Sequence, residues 1–483
     1  MAFDARAATG SKPKSLGEII DGLGLTRTHY LALALVVLGG MFEVFEQLIL
    51  SALGPSLEKA LGISASGLAL LSTVSLLAIV AGGIIGGIVA DLFGRRSLLA
   101  ISLGIYCLGS LLSAMATNPV MLGITRIVTG LGVGGEIAVG LTYLSELTPT
   151  KFRGVFVSLF NTISAGIGMF LSYAYALVVI GPFASAINAG DNAWRWAFGL
   201  LGLPALLIFF FRRYLPETPA YLLSRGKIRE TNEALTRLAT GKLRLRSGDA
   251  ANDYVDERTA AASESTQHDE STLEALTSLF TRPLRRRTVA LGLAAFLAWG
   301  AQFSIILLMP LILVKRGYSV EGSLAFTMVQ NLGGLIGCAV ASYGGFAIPR
   351  RTAVYIGAAC SAISVVAFAL FAEGDVLVLV IGFVFQVFVM LVNTTIWTWS
   401  PELYPTRVRG FGTAVIVNTG FVGGALLPLI SSSLFQKVGE LYVFGFVAVI
   451  YLVLALAASF VPETHRVPLE VLHGSAKVPV VKV

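Results

Sequence analysis

Twelve uninterrupted apolar stretches, each long enough to cross a bilayer as a helix, run through this chain and leave few folds open to it. They lie at about 30–53, 67–90, 97–116, 119–146, 153–180 and 195–212, then, after a polar gap, at 287–314, 321–346, 351–372, 375–402, 408–434 and 440–461. A helical crossing takes about 20 residues. The runs are continuous rather than alternating, which excludes a β-barrel and makes each span a helix that satisfies its own backbone in lipid. Only 13% of the residues are charged, against about 25% in soluble domains, too few to coat a water-facing surface. The expected fold is an all-α integral membrane protein with twelve transmembrane helices. Residues 1–29 are polar and the first apolar run has no small-residue cleavage site, so the first helix is expected to stay in the protein.

Orientation follows from the basic residues. With a cytoplasmic N-terminus, all 35 lysines and arginines fall on the inner side except Lys59, Arg195, Lys315, Arg316, Lys437 and the intramembrane Arg126. Both termini are therefore expected in the cytoplasm, in a plasma (inner) membrane. This asymmetry explains the basic pI of about 9.3 without nucleic acid. Cys107, Cys338 and Cys360 fall in spans and read as small buried apolar side chains, not as a disulfide framework.

The chain repeats itself. Glu146-Leu-Thr-Pro149-Thr-Lys-Phe-Arg153-Gly154 follows the fourth span, and Glu402-Leu-Tyr-Pro405-Thr-Arg407-Val-Arg409-Gly410 follows the tenth at identical spacing. Pro216-Glu217-Thr218 follows the sixth span and Pro462-Glu463-Thr464 the twelfth. A duplicated six-helix unit is expected: an N-terminal tail (1–29), a first bundle (30–212), a cytoplasmic segment (213–286), a second bundle (287–461) and a C-terminal tail (462–483). Two repeated bundles can rock about a site between them. Within 213–286, the stretch to about Arg237 has helical amphipathic spacing. Residues 244–275 are poor in large apolar side chains and read as disordered linker.

Gly87-x-x-x-Asp91-x-x-Gly94-Arg95-Arg96, between the second and third spans, resembles the signature loop of the major facilitator superfamily. Arg126-x-x-x-Gly130-x-Gly132-x-Gly134 in the fourth span resembles its sugar-porter branch and the related metabolite:proton symporters, as do the paired Glu-x-x-Pro-x-x-x-Arg-Gly and Pro-Glu-Thr motifs. The resemblance covers about residues 30–465 and implies two pseudo-symmetric six-helix bundles. Asp91, Arg95 and Arg96, with Glu146, Arg153, Glu402 and Arg409, place opposite charges at the inner ends of helices. They are candidates for a latch that closes one state and parts in the other; plain interfacial charge is the alternative.

Four ionisable residues lie deep in spans, where an unpaired charge is expensive and a function is expected: Glu43, Glu46, Arg126 and Glu136. At 1.5 Å per residue, Glu46 sits roughly 24 Å above the inner end of its span and Arg126 roughly 10 Å below the outer end of its own. In a core about 30 Å thick these levels nearly coincide. The stretch Gly39-Gly40-Met-Phe-Glu43-Val-Phe45-Glu46 resembles the first helix of proton-coupled sugar porters, in which an acid pairs with the fourth-helix arginine and carries the proton. That implies proton coupling at Glu46 and Arg126, with glutamate where the family has aspartate; a fixed structural pair is the alternative. Glu43, one turn below, is a candidate for the proton path or for substrate contact, with a structural hydrogen bond the alternative. Glu136, in Gly134-Gly135-Glu136 as in metabolite:proton symporters, is expected in packing or gating, with substrate contact the alternative.

Polar and aromatic groups in the spans give candidate substrate contacts at Asn161, Tyr173, Gln302, Gln330, Asn331, Asn393, Trp397 and Asn418. Trp397 falls where sugar porters keep a pocket tryptophan. The fifth- and seventh-span glutamines of hexose carriers are missing, apart from Gln302, so a small organic acid, aromatic or vitamin-like metabolite is favoured over a sugar. The four histidines have no ligand spacing; no metal, cofactor or catalytic constellation is expected, and a monomer is. The reading is a proton-coupled symporter of a small metabolite, not an enzyme. Proton-driven efflux of drugs or organic cations is the second reading, and a non-transporting nutrient sensor the third.

Overall fold

A computed structural model describes residues 15–244, 251–256, 272–282, 284–344, 347–405 and 408–465. Among the described residues, twelve helices are long and apolar enough to cross a membrane, in register with the sequence expectation. They are α1 (Arg27–Ala52), α2 (Ala65–Phe93), α3 (Arg95–Ala114), α4 (Pro119–Leu147), α5 (Thr150–Ala186), α6 (Gly190–Phe211), α7 (Leu284–Lys315), α8 (Val320–Gly344), α9 (Arg350–Phe371), α10 (Gly374–Leu403), α11 (Arg409–Lys437) and α12 (Glu440–Ser459). Their ends carry local signals. Ser64 accepts from the Gly67 N–H at the start of α2, and Asn118 from Met121 at the start of α4, with Pro119 in the first turn. Two π-turns, Thr162–Ile167 and Val179–Phe183, interrupt α5.

The two halves, α1–α6 and α7–α12, pack as repeats. In the first, α2 lies on α4 and α3 on α4; in the second, α8 lies on α10 and α9 on α10. Small residues permit these approaches. A Cβ on Gly134 of α4 would overlap the Ile79 carbonyl of α2, and one on Gly423 of α11 would overlap the Phe296 carbonyl of α7. Between the halves, α2 packs against α11, α5 against α8 and α1 against α7. Large apolar side chains left exposed on the outside, such as Ile88, Phe209 and Leu452, are the surface offered to lipid.

Sequence and structure differ between the spans. A short helix, Gly54–Leu61, precedes α2 and was not expected. The amphipathic stretch after α6 forms two helices, Pro219–Ser224 and Ile228–Thr240, separated at Gly226, whose φ of 66° favours glycine. Disorder over 244–275 is corrected in two places. Residues 251–256 dock on the second helix, where the Asn232 side chain accepts from the Tyr254 and Val255 N–H groups and donates to the Val255 carbonyl. Val255 is buried with Ile20, Leu223 and Leu235, and Thr272–Leu279 is helical. A polar composition did not reveal these contacts, to which the Asn252 N–H adds a bond to the Thr236 hydroxyl. The rest of that linker reading, residues 1–14 of the N-terminal tail, 466–483 of the C-terminal tail and Arg407 lie outside the described residues.

Candidate functional site

The face of the bundle that carries the Arg95–Arg96 and Arg350–Arg351 loops is called the basic face below. On the opposite face the halves are sealed. Thr73 of α2 donates to the Ala425 carbonyl of α11 at 2.6 Å, and Ser51 of α1 donates to the Ile306 carbonyl of α7. Toward the basic face the halves part around a vestibule of about 800 Å³, lined among others by Arg153, Arg409 and Asn418. Deeper lies a cavity of about 130 Å³ between the halves. Ile137, Leu141, Trp397 and Phe421 line both spaces and form the constriction between them.

The central cavity has one ionisable lining residue, Glu43, whose carboxylate accepts from the Gln47 amide at 2.8 Å. Phe160, Trp299, Phe303, Trp397 and Phe421 supply aromatic walls; Asn161, Gln302 and Asn393 supply amides. The Asn393 amide donates to Gln302 Oε1 at 2.5 Å, and Gln302 Nε2 contacts Met390 Sδ at 3.1 Å. Among the described residues, two polar atoms of these cavity-lining amides lack partners, Nδ2 of Asn161 and Oδ1 of Asn393. A buried donor and a buried acceptor left open in a cavity are what a polar ligand satisfies. Asn161 stands at the edge of the first π-turn of α5, an irregularity frequent at functional sites because it re-aims side chains.

One turn above Glu43 on α1, Glu46 pairs with Arg126 of α4. Glu46 Oε2 accepts from both terminal guanidinium nitrogens at 3.0 Å, and its backbone carbonyl accepts from one of them at 3.1 Å. Both side chains are at most 2% exposed, and the guanidinium carbon lies 5.4 Å from the Phe198 ring centroid. The pair lies inside the first half, and neither residue lines the cavity. Glu136 is buried nearby in α4, its carboxylate packed against Gly39 of α1, with neither oxygen hydrogen-bonded. It stands apart from the ion pairs of the basic face.

Those ion pairs repeat in both halves; Asp91 meets its sequence neighbour Arg95, whereas Glu146 and Glu402, expected near Arg153, Arg407 and Arg409, take other partners. Arg95 pairs with Glu146 at 3.3 Å and Asp91 at 2.9 Å; Arg350 pairs with Glu402 at 2.8 Å. Glu217 accepts from the Arg96 N–H, while Glu463 accepts from those of Arg350 and Arg351. Arg96 and Arg351 also donate to the Leu215 and Val461 carbonyls. Thus Glu146 and Glu402 bind the arginine that opens the preceding helix, not Arg153 and Arg409. The helix reversal after each glutamate carries Arg153 and Arg409 away to the vestibule wall.

The chain matches the family described as sugar (and other) transporter over residues 36–474. It belongs to this family of the major facilitator superfamily. The transporter is 27% identical to the niacin transporter NiaP of Acinetobacter baylyi over 85% of this chain and 88% of that protein. It is 25% identical to an arabinose-proton symporter of Bacillus subtilis over 94% and 97%. Among solved structures, the xylose transporter XylE from E. coli in a partially occluded inward-open conformation aligns with TM-score 0.70 and 19% identity, over 90% of this chain and 98% of that one. The fold is the major facilitator fold, and the protein is a multi-pass membrane transporter rather than an enzyme.

Of the expected substrate contacts, Asn161, Gln302, Asn393 and Trp397 line the central cavity of the transporter. Four others are elsewhere. The Tyr173 hydroxyl bonds Ser51 at 2.8 Å. Gln330 donates to the Val378 carbonyl, and Asn331 lies between the Thr327 carbonyl and Gln386. Asn418 lines the vestibule. Tyr173, Gln330 and Asn331 are thus bonded to neighbouring side chains or to backbone carbonyls, as buried polar groups in lipid must be. Sequence reasoning missed Gln47, Trp299 and the constriction residues Ile137, Leu141 and Phe421. Gln47 carried a signal, as a polar residue one turn from Glu43 in an apolar span; the aliphatic ones carried none. Arg350, Glu217 and Glu463 were legible only through the repeat. Among the described residues no cluster able to hold a metal is found.

Proposed function

We propose that this protein is a proton-coupled symporter of a small aromatic or vitamin-like organic metabolite, working by alternating access as a monomer. The basic face is cytoplasmic, by the distribution of lysine and arginine, in the plasma membrane. The observation that carries the reading is the central cavity with its open donor and acceptor, Asn161 Nδ2 and Asn393 Oδ1, set between aromatic walls and one helical turn from a buried carboxylate–guanidinium pair. Aromatic walls with few polar points suit a flat molecule better than a polyhydroxylated one, whose hydroxyls each need a partner. The niacin transporter among the relatives supports that chemistry, and the proton symporter among them supports the coupling.

In the proposed cycle the seal at Thr73–Ala425 and Ser51–Ile306 opens in one state, while the Ile137–Phe421 constriction closes and the halves meet on the basic face, whose ion pairs brace the helix ends within each half. Glu46 holds the proton. As a carboxylate it is fixed by Arg126; neutralised, it loosens its hold on the guanidinium and lets α1 and α4 shift. Glu43, on the same helix, carries that shift to the cavity. An organic cation is the second reading, favoured by Glu43 being the sole ionisable residue on the cavity wall.

A thermal-shift screen of the purified protein against small aromatic acids, nicotinate among them, organic cations and sugars at two pH values identifies ligands that bind the folded state. For the ligand found, uptake into proteoliposomes under an inward proton gradient is compared between wild type and Glu46→Gln. The variant is expected to lose accumulation against a gradient and keep exchange of ligand across the membrane. Undiminished accumulation would remove the proton from Glu46, and stabilisation by sugars alone would overturn the substrate class.

A further inference from the structure

The groove between the basic-face ends of α7 and α12 takes no part in the transport path. It opens to the lipid-facing surface, and its volume is about 800 Å³. Arg282, Arg285 and Arg286 stand at its rim, no acidic residue among the described residues lines it, and its walls are apolar. Leu293 of α7, Leu456 of α12 and Phe460 just beyond it are 46%, 62% and 50% exposed, and the Arg286 guanidinium lies 5.7 Å from the Phe460 ring centroid. Among the described residues, no ion pair engages any of the three arginines.

The repeat shows what is missing from this corner. In the first half the equivalent position, between the basic-face ends of α1 and α6, is filled by the helix Ile228–Thr240. There Thr28 of α1 donates to the Arg237 carbonyl at 3.0 Å, and the Arg237 side chain donates to the Tyr214 carbonyl at the end of α6 at 2.5 Å. In the second half the helix Thr272–Leu279 packs against α7 and α11 instead. The α7–α12 corner is left with three cations above an apolar trough.

We propose that this groove binds an anionic phospholipid from the leaflet on the basic face, its headgroup phosphate among Arg282, Arg285 and Arg286 and an acyl chain along Leu293 and Leu456. Unpaired basic side chains at the end of an apolar groove between helices match a lipid that is negative at its head and apolar below. A zwitterionic lipid offers the same chain without net charge and binds more weakly.

The test is native mass spectrometry of the full chain released from detergent, titrated separately with dioleoylphosphatidylglycerol and dioleoylphosphatidylcholine. Wild type is expected to retain phosphatidylglycerol over phosphatidylcholine by up to about 100-fold, the order set by three basic side chains near a membrane surface. Arg285→Gln/Arg286→Gln removes the charge and Leu456→Trp fills the trough; both positions are exposed, and an unchanged unfolding midpoint confirms the fold. Loss of the preference in the folded arginine variant, or of phosphatidylglycerol retention in the folded Leu456→Trp variant, supports the site. Equal retention of the two lipids by wild type, or an undiminished preference in the arginine variant together with undiminished retention in Leu456→Trp, overturns it.

Discussion

Glutamine in place of Glu46 removes one charge from a pair that is almost fully enclosed, and the structure sets the size of the effect. At 3.0 Å and an effective dielectric constant near 20, the attraction is about 5 kcal/mol. The glutamine oxygen still accepts a hydrogen bond, which returns about 1 kcal/mol. The Phe198 ring, 5.4 Å from the guanidinium carbon, supplies about 1 kcal/mol more, but it does so in the native protein too. The stranded guanidinium should therefore cost about 3–5 kcal/mol of stability, the usual result of breaking a buried pair from one side. Arg126→Gln strands the carboxylate and should cost a similar amount. The double variant strands nothing, so its loss should be no larger than that of the worse single variant, a coupling of about 3 kcal/mol. Unfolding of the purified protein in detergent can be followed with a thiol-reactive dye, since Cys107 and Cys338 are buried and free. Each single variant should lower the midpoint by several degrees, and the double variant should recover part of that loss. Single variants at the wild-type midpoint, or a double variant that falls by the sum of the two, would refute the buried ion pair as the organising contact of the first half.

Two further predictions concern packing and pH. Gly134→Ala and Gly423→Ala force a methyl group onto a backbone carbonyl of the facing helix and should each destabilise by about 1–3 kcal/mol. Gly445→Ala in α12 has no neighbour within 4 Å and should gain up to about 1 kcal/mol from helix propensity; thermal midpoints of the same sign at all three positions would contradict the helix contacts. Burial works to raise the Glu463 carboxyl, but N–H donors from His465, Arg351, Arg350 and Thr464 outweigh it and hold it below the usual carboxylate range. A group lowered in the folded state stabilises fully above its unfolded pKa, and that stability is lost as pH falls through the lowered value. Glu463→Gln should thus cost about 1–2 kcal/mol at pH 7, through weakened hydrogen bonds and helix N-terminal charge. The difference from wild type should shrink toward acid pH; a constant difference across the acid range would contradict the assignment.

Much of this protein is written in patterns that need no neighbours to be read. Span length and continuous apolarity are properties of a single segment, so the twelve helices follow from the sequence to within a few residues. The duplicated motifs state the two-half architecture for the same reason. The depths of Glu46 and Arg126 follow from counting residues, and the pair forms where counting puts it because a guanidinium at that depth cannot readily shed its charge and needs a partner. Tertiary structure decided what depends on helix rotation and on the chain's return path. Asn331 and Asn393 are both amides in the middle of apolar spans, yet one is spent on Thr327 and Gln386 while the other faces the cavity. Glu146 lies seven residues from Arg153 in sequence and pairs with Arg95 across a helix interface. A span sequence shows which residues must find partners; only the packing of one helix on the next determines which partner is within reach.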